Sequence, residues 1–461
     1  MLPKVYGVLI YDDFTTIDII GPLAFFNNIP GVQVFFIHDT LAPTPTGNVT
    51  TPVGERYAGE FYQPTYTMDN APLLDVLVIT GGFTGTSTAL KNPAWQNYVA
   101  KVYPSLKYLF SVCTGAGVAA RAGVLSGRYA TTNKAAFRWA ESLGGNVNWV
   151  PVARWVVDGN IWTSSGKSPE SLNPPMKYIS FLTNIKSGVE AGTDMAYAFV
   201  SRVYGNKFAQ DITTLLEYVP VDDSLDDPFA AYYNFTSPSK SIPPVLNDSP
   251  FTYWALLVYP GIIALDAISV ASYPEFITLL PGFPGNLSII APTLDPVQMS
   301  SIVPGSGQTI IPTHPISNPP PQIDVLIVPG LPTAGPFPYQ DQLAAFIRHA
   351  YPTVQNIISV GTGSMLLGYA GILDGREATT SKSLFSAAIA PFKNNNITWT
   401  YDRWVQYGNV WTSSGTASGL DAGNALTTSM FGPNATFWAT LNMEYVPNTN
   451  SSWDPFPPSL A

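Results

Sequence analysis

Short apolar runs alternate with longer helical stretches along the first half of the chain. The apolar runs predict buried strands at residues 5–11, 32–38, 76–79 and 108–112, and the stretches between them predict helices at 93–103, 115–122 and 134–143. Strands that alternate with helices form a parallel sheet covered on both faces, so the pattern predicts a doubly wound α/β domain. Ligands bind such sheets at the carboxyl ends of the strands.

The pattern occurs twice, because six segments of the first half recur in the second. The pairs are 8–18 and 256–266, 75–81 and 324–330, 111–115 and 359–363, 127–132 and 375–380, 162–166 and 411–415, and 217–220 and 444–447. A conserved order of matching segments predicts a tandem duplication of one domain. Residues 230–250 are rich in Pro, Ser and Asn and predict a linker, which gives domains at 1–229 and 251–461.

The single cysteine of the chain ends a predicted strand. Cys113 stands directly before a small-residue helix that contains Gly115 and Gly117. A thiol on a sharp strand-to-helix turn is exposed to substrate, and a helix N-terminus favours the thiolate, so the pattern predicts a nucleophile elbow. The alternative is a small buried hydrophobic side chain, which is the commonest fate of a free cysteine.

Three further residues could serve a nucleophile at this position. The backbone N–H groups of Thr114 and of Gly82, in the Gly81-Gly82 turn, are candidate oxyanion donors. Asp18 lies in an apolar stretch at the first strand-to-helix turn, where poor solvation should raise its pKa and let it donate a proton. The alternative role for Asp18, repeated by Asp266, is a helix N-cap.

Five motifs resemble the ThiJ/PfpI proteins of the class I glutamine amidotransferase-like superfamily. They are Asp-Ile-Ile-Gly-Pro at 18–22, Val-Ile-Thr-Gly-Gly at 78–82, Ser-Val-Cys-Thr-Gly at 111–115, and the segments 122–132 and 153–166. The Cys-Thr pair and the Asp in the first turn are most similar to the isonitrile hydratase branch. The resemblance implies two tandem flavodoxin-like domains that pack as an internal pseudo-dimer within a monomer.

The resemblance also assigns roles to residues. It implies that Cys113 is the nucleophile, Asp18 the acid/base partner, and the Thr114 and Gly82 amides the donors on the electrophile side. The loop that ends in Ser165 and Gly166 should approach the nucleophile. Peptidase-like and amidotransferase-like relatives have His directly after the cysteine, where this chain has Thr114. Regulator-like relatives append a helix-turn-helix domain, and no basic helical domain is expected here. Proteolysis, glutamine hydrolysis and DNA binding are therefore disfavoured.

The second copy departs from the motif at the nucleophile. Gly361 occupies the position of Cys113, and Leu331 occupies that of Gly82. This copy therefore cannot perform thiol chemistry. The resemblance implies that it acts as a covalently attached partner, which gives one active site per chain.

The expected function is a cofactor-free, cysteine-dependent reaction on a small electrophile, with isonitrile hydration to an N-substituted formamide as the first candidate. The alternatives are a glyoxalase-like hydration of methylglyoxal and a non-catalytic thiol redox sensor or binding module. The sequence does not choose the substrate.

Composition limits the partners. The 461 residues are 11% charged with a net charge of -10, which argues against nucleic acid and anionic membranes, and no apolar run is long enough to span a bilayer. One cysteine and three histidines make a Cys/His metal site improbable.

The localisation has two interpretations. The absence of a signal peptide favours the cytoplasm, whereas low charge and seven Asn-x-Ser/Thr sequons favour secretion. The sequons are at Asn48, Asn234, Asn247, Asn286, Asn396, Asn434 and Asn450.

A foreign segment interrupts the first copy. Residues 167–188 separate Gly166 from the helical motif that directly follows Gly415 in the second copy. One interpretation is a lid over the site. The other is a retained intron, because Gly166-Lys167-Ser168 and Ser187-Gly188 can be encoded with donor and acceptor splice sequences.

Overall fold

The structure, a computed structural model, describes residues 2–46, 59–166, 189–225, 227, 229, 252–278, 285–300, 308–443 and 445–456. The inserted segment 167–188 and the linker 230–250 lie outside the described residues. The domain boundaries at 229 and 251 therefore stay predictions.

The first half contains eleven strands and seven helices among the described residues. The strands are β1 (Val5–Leu9), β2 (Gln33–His38), β3 (Thr44–Pro45), β4 (Phe61–Tyr62), β5 (Tyr66–Thr67), β6 (Val76–Ile79), β7 (Tyr108–Val112), β8 (Tyr129–Ala130), β9 (Asn148–Trp149), β10 (Trp155–Asp158) and β11 (Ile161–Ser164). The helices are α1 (Thr16–Phe26), α2 (Phe83–Ala89), α3 (Pro93–Val102), α4 (Gly115–Arg121), α5 (Phe137–Ser142), α6 (Val189–Tyr204) and α7 (Asn206–Leu216).

The described part of the second half contains eleven strands and five helices. The strands are β12 (Thr252–Leu257), β13 (Gly285–Ala291), β14 (Val297–Gln298), β15 (Thr309–Ile310), β16 (His314–Pro315), β17 (Val325–Val328), β18 (Asn356–Val360), β19 (Glu377–Ala378), β20 (Thr398–Trp399), β21 (Trp404–Tyr407) and β22 (Val410–Ser413). The helices are α8 (Ala264–Ile277), α9 (Gln340–Ala350), α10 (Gly363–Tyr369), α11 (Phe385–Ile389) and α12 (Thr416–Asn442), which is interrupted at Gly432.

Each half is built on one seven-stranded sheet. The strand order is β10-β11-β7-β6-β1-β2-β5 in the first half and β16-β13-β12-β17-β18-β22-β21 in the second, with all pairs parallel except β10-β11 and β21-β22. The central strands are buried on both faces, as their uninterrupted apolar sequences predict. The order from β2 through β1, β6 and β7 to β11 is flavodoxin-like, which confirms the predicted doubly wound fold in both copies.

Some predicted elements are longer than the observed ones. The strand predicted at 5–11 ends at Leu9, and the helix predicted at 134–143 begins only at Phe137. The buried Asn133 and Lys134 instead form contacts outside the helix: Asn133 accepts a hydrogen bond from the Ala136 amide, and Lys134 forms an ion pair with Asp227.

The two halves pack on each other. Helix α1 contacts α8, and a small four-stranded sheet joins β3 and β4 of the first half to β14 and β15 of the second. The Ile311 amide donates to the Phe61 carbonyl across this sheet at 2.9 Å. These contacts confirm the predicted pseudo-dimer. None of the helices within the described residues has the length and apolarity needed to cross a membrane.

A buried carboxyl group lies at the interface between the halves. Glu60 Oε2 accepts hydrogen bonds from Thr16 at 3.0 Å and from Thr46 at 2.6 Å. Burial, together with the nearby charge of Glu275 on α8, raises the pKa of Glu60 to about 7. The interface therefore favours the protonated form of the Glu60 carboxyl over the ionised form.

We expect the replacement Glu60→Gln to flatten the pH dependence of stability. A carboxyl whose pKa is raised in the folded state stabilises the fold fully when the pH is below its unfolded pKa. This stabilisation is lost as the pH rises through 7, the pKa of Glu60 in the folded state. Between pH 5 and pH 8 the free energy of unfolding of the native chain should therefore fall by up to about 3 kcal/mol more than that of the variant. Urea unfolding of both proteins at both pH values measures this difference. An equal fall in the free energy of unfolding of the native chain and the variant would contradict the raised pKa of Glu60.

Candidate active site

A sharp turn follows β7. Cys113 has a φ of +58°, in the left-handed region that residues other than glycine rarely adopt, and α4 begins two residues later. Its amide donates to the Ser164 carbonyl at 3.1 Å, and its carbonyl accepts from the Thr132 hydroxyl at 2.8 Å. Such strained conformations persist where the surroundings fix them, and they cluster at functional sites. The predicted elbow turn is thus present, whereas the role of Cys113 as a nucleophile stays a prediction.

The Cys113 side chain is fully buried between two glycines, so the exposure of the thiol that the elbow pattern predicts is wrong. A Cβ added at Gly81 would lie 2.4 Å from Cys113 Cβ and 2.9 Å from its Sγ, and one added at Gly166 would lie 2.3 Å from Cys113 Cβ. Both contacts are closer than any real side chain tolerates. Glycine is therefore required on both sides of the thiol.

The Asp18 carboxyl borders the same small space. A Cβ at Gly81 would lie 2.5 Å from Asp18 Oδ2, and one at Gly166 would lie 2.9 Å from Oδ1. Asp18 is completely buried in the first turn of α1, and Thr15 is the N-cap residue of that helix. The alternative assignment of Asp18 as the N-cap is therefore wrong. The fold brings the predicted thiol and carboxyl together.

A chain of hydroxyl groups adjoins the turn. The Gly82 amide donates to Thr114 Oγ1 at 3.1 Å, and this hydroxyl lies 3.0 Å from Thr86 Oγ1, which in turn lies 2.7 Å from the Tyr11 hydroxyl. The Gly82 amide is therefore engaged by Thr114 and could donate to a substrate only if that hydroxyl moved. Burial raises the pKa of Tyr11, and the nearby charges of Cys113 and Asp18 raise it further.

Sequence analysis did not identify Tyr11 or Thr86. The repeat contains a signal for the tyrosine, because Tyr259 occupies the equivalent position in the second copy and its hydroxyl donates to the Pro329 carbonyl. Tyr11 likewise donates to the carbonyl of Thr80. In each half the tyrosine hydroxyl thus forms a hydrogen bond between the segments that follow two neighbouring strands, β1 and β6 in the first half and β12 and β17 in the second.

The loop after β11 reaches the thiol, as the resemblance implied. The Ser165 amide donates to the Arg154 carbonyl at 2.9 Å, and the Asn133 side chain donates to the Gly166 carbonyl. Asn133 thus holds the loop that places Gly166 against Cys113. Residues 167–188 begin directly after this contact and lie outside the described residues, so the lid and the retained intron both stay hypotheses.

The second half has the same turn, hydrogen bond and buried carboxyl as the first half, but no thiol. Gly361 has a φ of +57°, close to that of Cys113, and the Leu331 amide donates to Thr362 Oγ1 at 2.7 Å. The buried Asp266 takes the place of Asp18 and accepts from the Thr416 hydroxyl at 2.5 Å. Burial raises the pKa of Asp266 to about 7, because the hydrogen bond from Thr416 only partly offsets the loss of solvation.

The chain belongs to the DJ-1/PfpI family, whose sequence pattern matches residues 4–173 and 286–428. It is 28% identical over 237 residues to the isonitrile hydratase of Pseudomonas putida, a match that covers 51% of this chain and 86% of that protein.

Solved structures of the family are also similar to the chain. A ThiJ/PfpI family protein from Pseudomonas syringae is 24% identical with a TM-score of 0.37, over 48% of this chain and 77% of that one. Drosophila melanogaster DJ-1beta is 15% identical with a TM-score of 0.34, over 42% of this chain and 98% of that one.

Proposed function

We propose that the first half catalyses the hydration of a small isonitrile to an N-substituted formamide, with Cys113 as nucleophile and Asp18 as acid/base. The observation that carries the proposal is the confinement of the only thiol of the chain and a buried carboxyl between Gly81 and Gly166. The similarity to an isonitrile hydratase supports this choice of substrate.

The burial of the thiol supports a compact substrate. Cys113 and Asp18 are both fully buried, so a folded protein or a nucleic acid cannot reach them. The terminal carbon of an isonitrile is linear and unhindered, and it accepts a nucleophile without a bulky leaving group. The close packing of both glycines against Cys113 suits such a slender group and disfavours peptide hydrolysis.

In the first stage the Asp18 carboxylate takes the proton of the Cys113 thiol. The sulfur attacks the terminal carbon and forms a carbon–sulfur bond, while Asp18 delivers the proton to that carbon. The product is a thioformimidate in which sulfur, hydrogen and a C=N group share the former isonitrile carbon. A carboxyl group that accepts and returns the same proton meets the requirements of general acid–base catalysis.

In the second stage a water molecule adds to the C=N bond. Its oxygen bonds to carbon with Asp18 as base, and the nitrogen gains a proton. The carbon–sulfur bond then breaks, the formamide carbonyl forms, and the hydroxyl proton returns through Asp18 to the thiolate. The net reaction adds one water and leaves the substrate neither oxidised nor reduced. The Thr114 amide is the proposed donor to the nitrogen side.

The test is the incubation of the full chain with benzyl isocyanide in water enriched in oxygen-18. We expect N-benzylformamide that carries one heavy oxygen, formed catalytically, and no product above the buffer rate from Cys113→Ala. Mass spectrometry of acid-quenched protein should show the thioformimidate on Cys113, because the chain has no other cysteine.

Three results would contradict the proposal. Formation of lactate from methylglyoxal without any formamide would favour the glyoxalase-like reaction. Oxidation of Cys113 by mild peroxide, together with no turnover of either substrate, would favour a redox sensor. Equal rates for the native chain and Cys113→Ala would exclude a thiol mechanism altogether.

A further inference from the structure

A cavity lies beside the thiol-free turn of the second half. It contains about 750 Å³ of empty space, its open mouth included, and residues of both halves line it. Helices α1 and α7 of the first half contribute one side, and the Gly361 turn with Asp266 contributes the other. A Cβ at Gly361 would lie 2.7 Å from Asp266 Oδ2, so the absence of a side chain there leaves the carboxyl facing the cavity.

Glu217 extends from the first half into this cavity. It ends α7 with a φ of +49° and is only 3% exposed. Its Oε1 accepts hydrogen bonds from the Ser381 hydroxyl at 2.9 Å and from the Lys382 and Ser383 amides at 2.5 and 3.2 Å. Its Oε2 is buried and has no hydrogen-bond partner among the described residues. A buried carboxylate oxygen in this state is costly unless a ligand donates to it.

Three amide side chains in the cavity wall also have buried polar atoms without a hydrogen-bond partner among the described residues. These atoms are Asn27 Oδ1, Asn28 Oδ1 and Gln308 Nε2. Asn27 Nδ2 donates to Gln308 Oε1 at 3.4 Å, which sets the orientation of both groups. Together with Glu217 Oε2, the described side chains of the wall provide three unpartnered acceptors and one unpartnered donor.

The ionisable side chains in the cavity wall are acidic among the described residues. Asp266 and Glu217 are the carboxyl groups in its wall, and no Lys, Arg or His is found among the described residues that line it. The amine of the neighbouring Lys382 instead points to Asp454 at 3.3 Å and to the Asp402 carbonyl at 2.9 Å. The remainder of the wall includes apolar side chains such as Leu265.

We propose that this cavity binds a small organic cation, a primary ammonium with a short apolar substituent. An ammonium group has three donors and no acceptor, which matches the surplus of acceptors, and its charge complements the ionised forms of Glu217 and Asp266. The apolar substituent would pack on Leu215, Leu265 and Leu331. Among the described residues no group of three or more His, Cys, Asp and Glu side chains could hold a metal ion, which disfavours a hard cation. The proposal does not depend on turnover at Cys113.

Calorimetric titration of the full chain with n-butylammonium chloride tests the proposal, with n-butanol as the uncharged probe of similar shape. We expect saturable binding of the ammonium at one site and no comparable binding of the alcohol. Glu217→Gln should weaken the ammonium affinity by about tenfold or more, because a charged hydrogen bond is lost. The glutamine carbonyl can still accept from Ser381 and Lys382, so the fold contact is retained.

Two further variants make the test specific. Asn28→Ala removes one acceptor from a half-buried position and should weaken binding severalfold, even if Glu217→Gln proves unstable. Asp211→Asn removes the same charge from an exposed position on α7 and should leave the affinity unchanged.

Three outcomes would overturn the proposal. They are equal affinity for the ammonium and the alcohol, unchanged ammonium affinity in both Glu217→Gln and Asn28→Ala, and loss of binding in Cys113→Ala. The last result would assign the ligand to the first half instead.

Discussion

Replacing Asp18 by Asn should lower the rate of isonitrile hydration by about a hundredfold or more. The amide has the shape of the carboxyl, so the space between Gly81, Gly166 and Cys113 stays filled, but it cannot take and return a proton. The specificity constant kcat/KM measures the loss. Circular dichroism would show that the variant is folded, and complete alkylation of Cys113 by iodoacetamide after denaturation would show that it keeps its thiol.

The second half offers a matched control for this substitution. Asp266→Asn makes the same change beside Gly361, where no thiol is present. We expect its turnover to equal that of the native chain. Equal losses in the two variants would show that the carboxyl acts through the fold rather than on the substrate. An unfolded Asp18→Asn chain would likewise assign Asp18 a structural role.

The fold was predictable because the same pattern of strands and helices occurs in both halves of the sequence. The central strands are uninterrupted apolar runs, and the repeat locates the Cys113 and Gly361 turns at the same point of each sheet. Tertiary packing and strand order then follow from general rules for parallel sheets. The pairing of Asp18 with Cys113 was instead implied by the resemblance to the ThiJ/PfpI proteins.

The contacts between the halves were not predictable in detail. Strands β4 and β15, which join the two copies, have two residues each, and such short segments carry no periodicity. Glu217 was recognised only as part of a repeated motif. Its position in the wall of the second half depends on how the copies dock, which no local pattern encodes.

The misassigned cap of α1 has a local cause. Thr15, Thr16 and Asp18 are all residues that favour helix N-termini, so composition alone could not choose among them. The helix begins at Thr16 because Thr15 has extended backbone angles, with φ at -94° and ψ at 116°. Asp18 consequently lies in the first turn of α1, where its carboxyl borders the same glycines as the thiol.

Replacing Gly81 by Ala should remove turnover and lower stability together. The added Cβ would lie 2.4 Å from Cys113 Cβ and 2.5 Å from Asp18 Oδ2, so the thiol, the carboxyl or both must move. A displacement of about 1 Å at reacting groups costs roughly a hundredfold in rate. Overpacking of a filled core costs about 1–3 kcal/mol of the free energy of unfolding.

Gly330→Ala separates the two effects. In the second half the added Cβ would lie 2.8 Å from Asp266 Oδ2 and 2.8 Å from the Thr362 amide nitrogen, a similar degree of crowding. We expect a comparable loss of stability in urea unfolding but a native kcat/KM, because no thiol is displaced. If Gly81→Ala instead retained native turnover, the space between Gly81 and Gly166 would not be where the substrate reacts, and the assignment of Cys113 and Asp18 as a catalytic pair would be wrong.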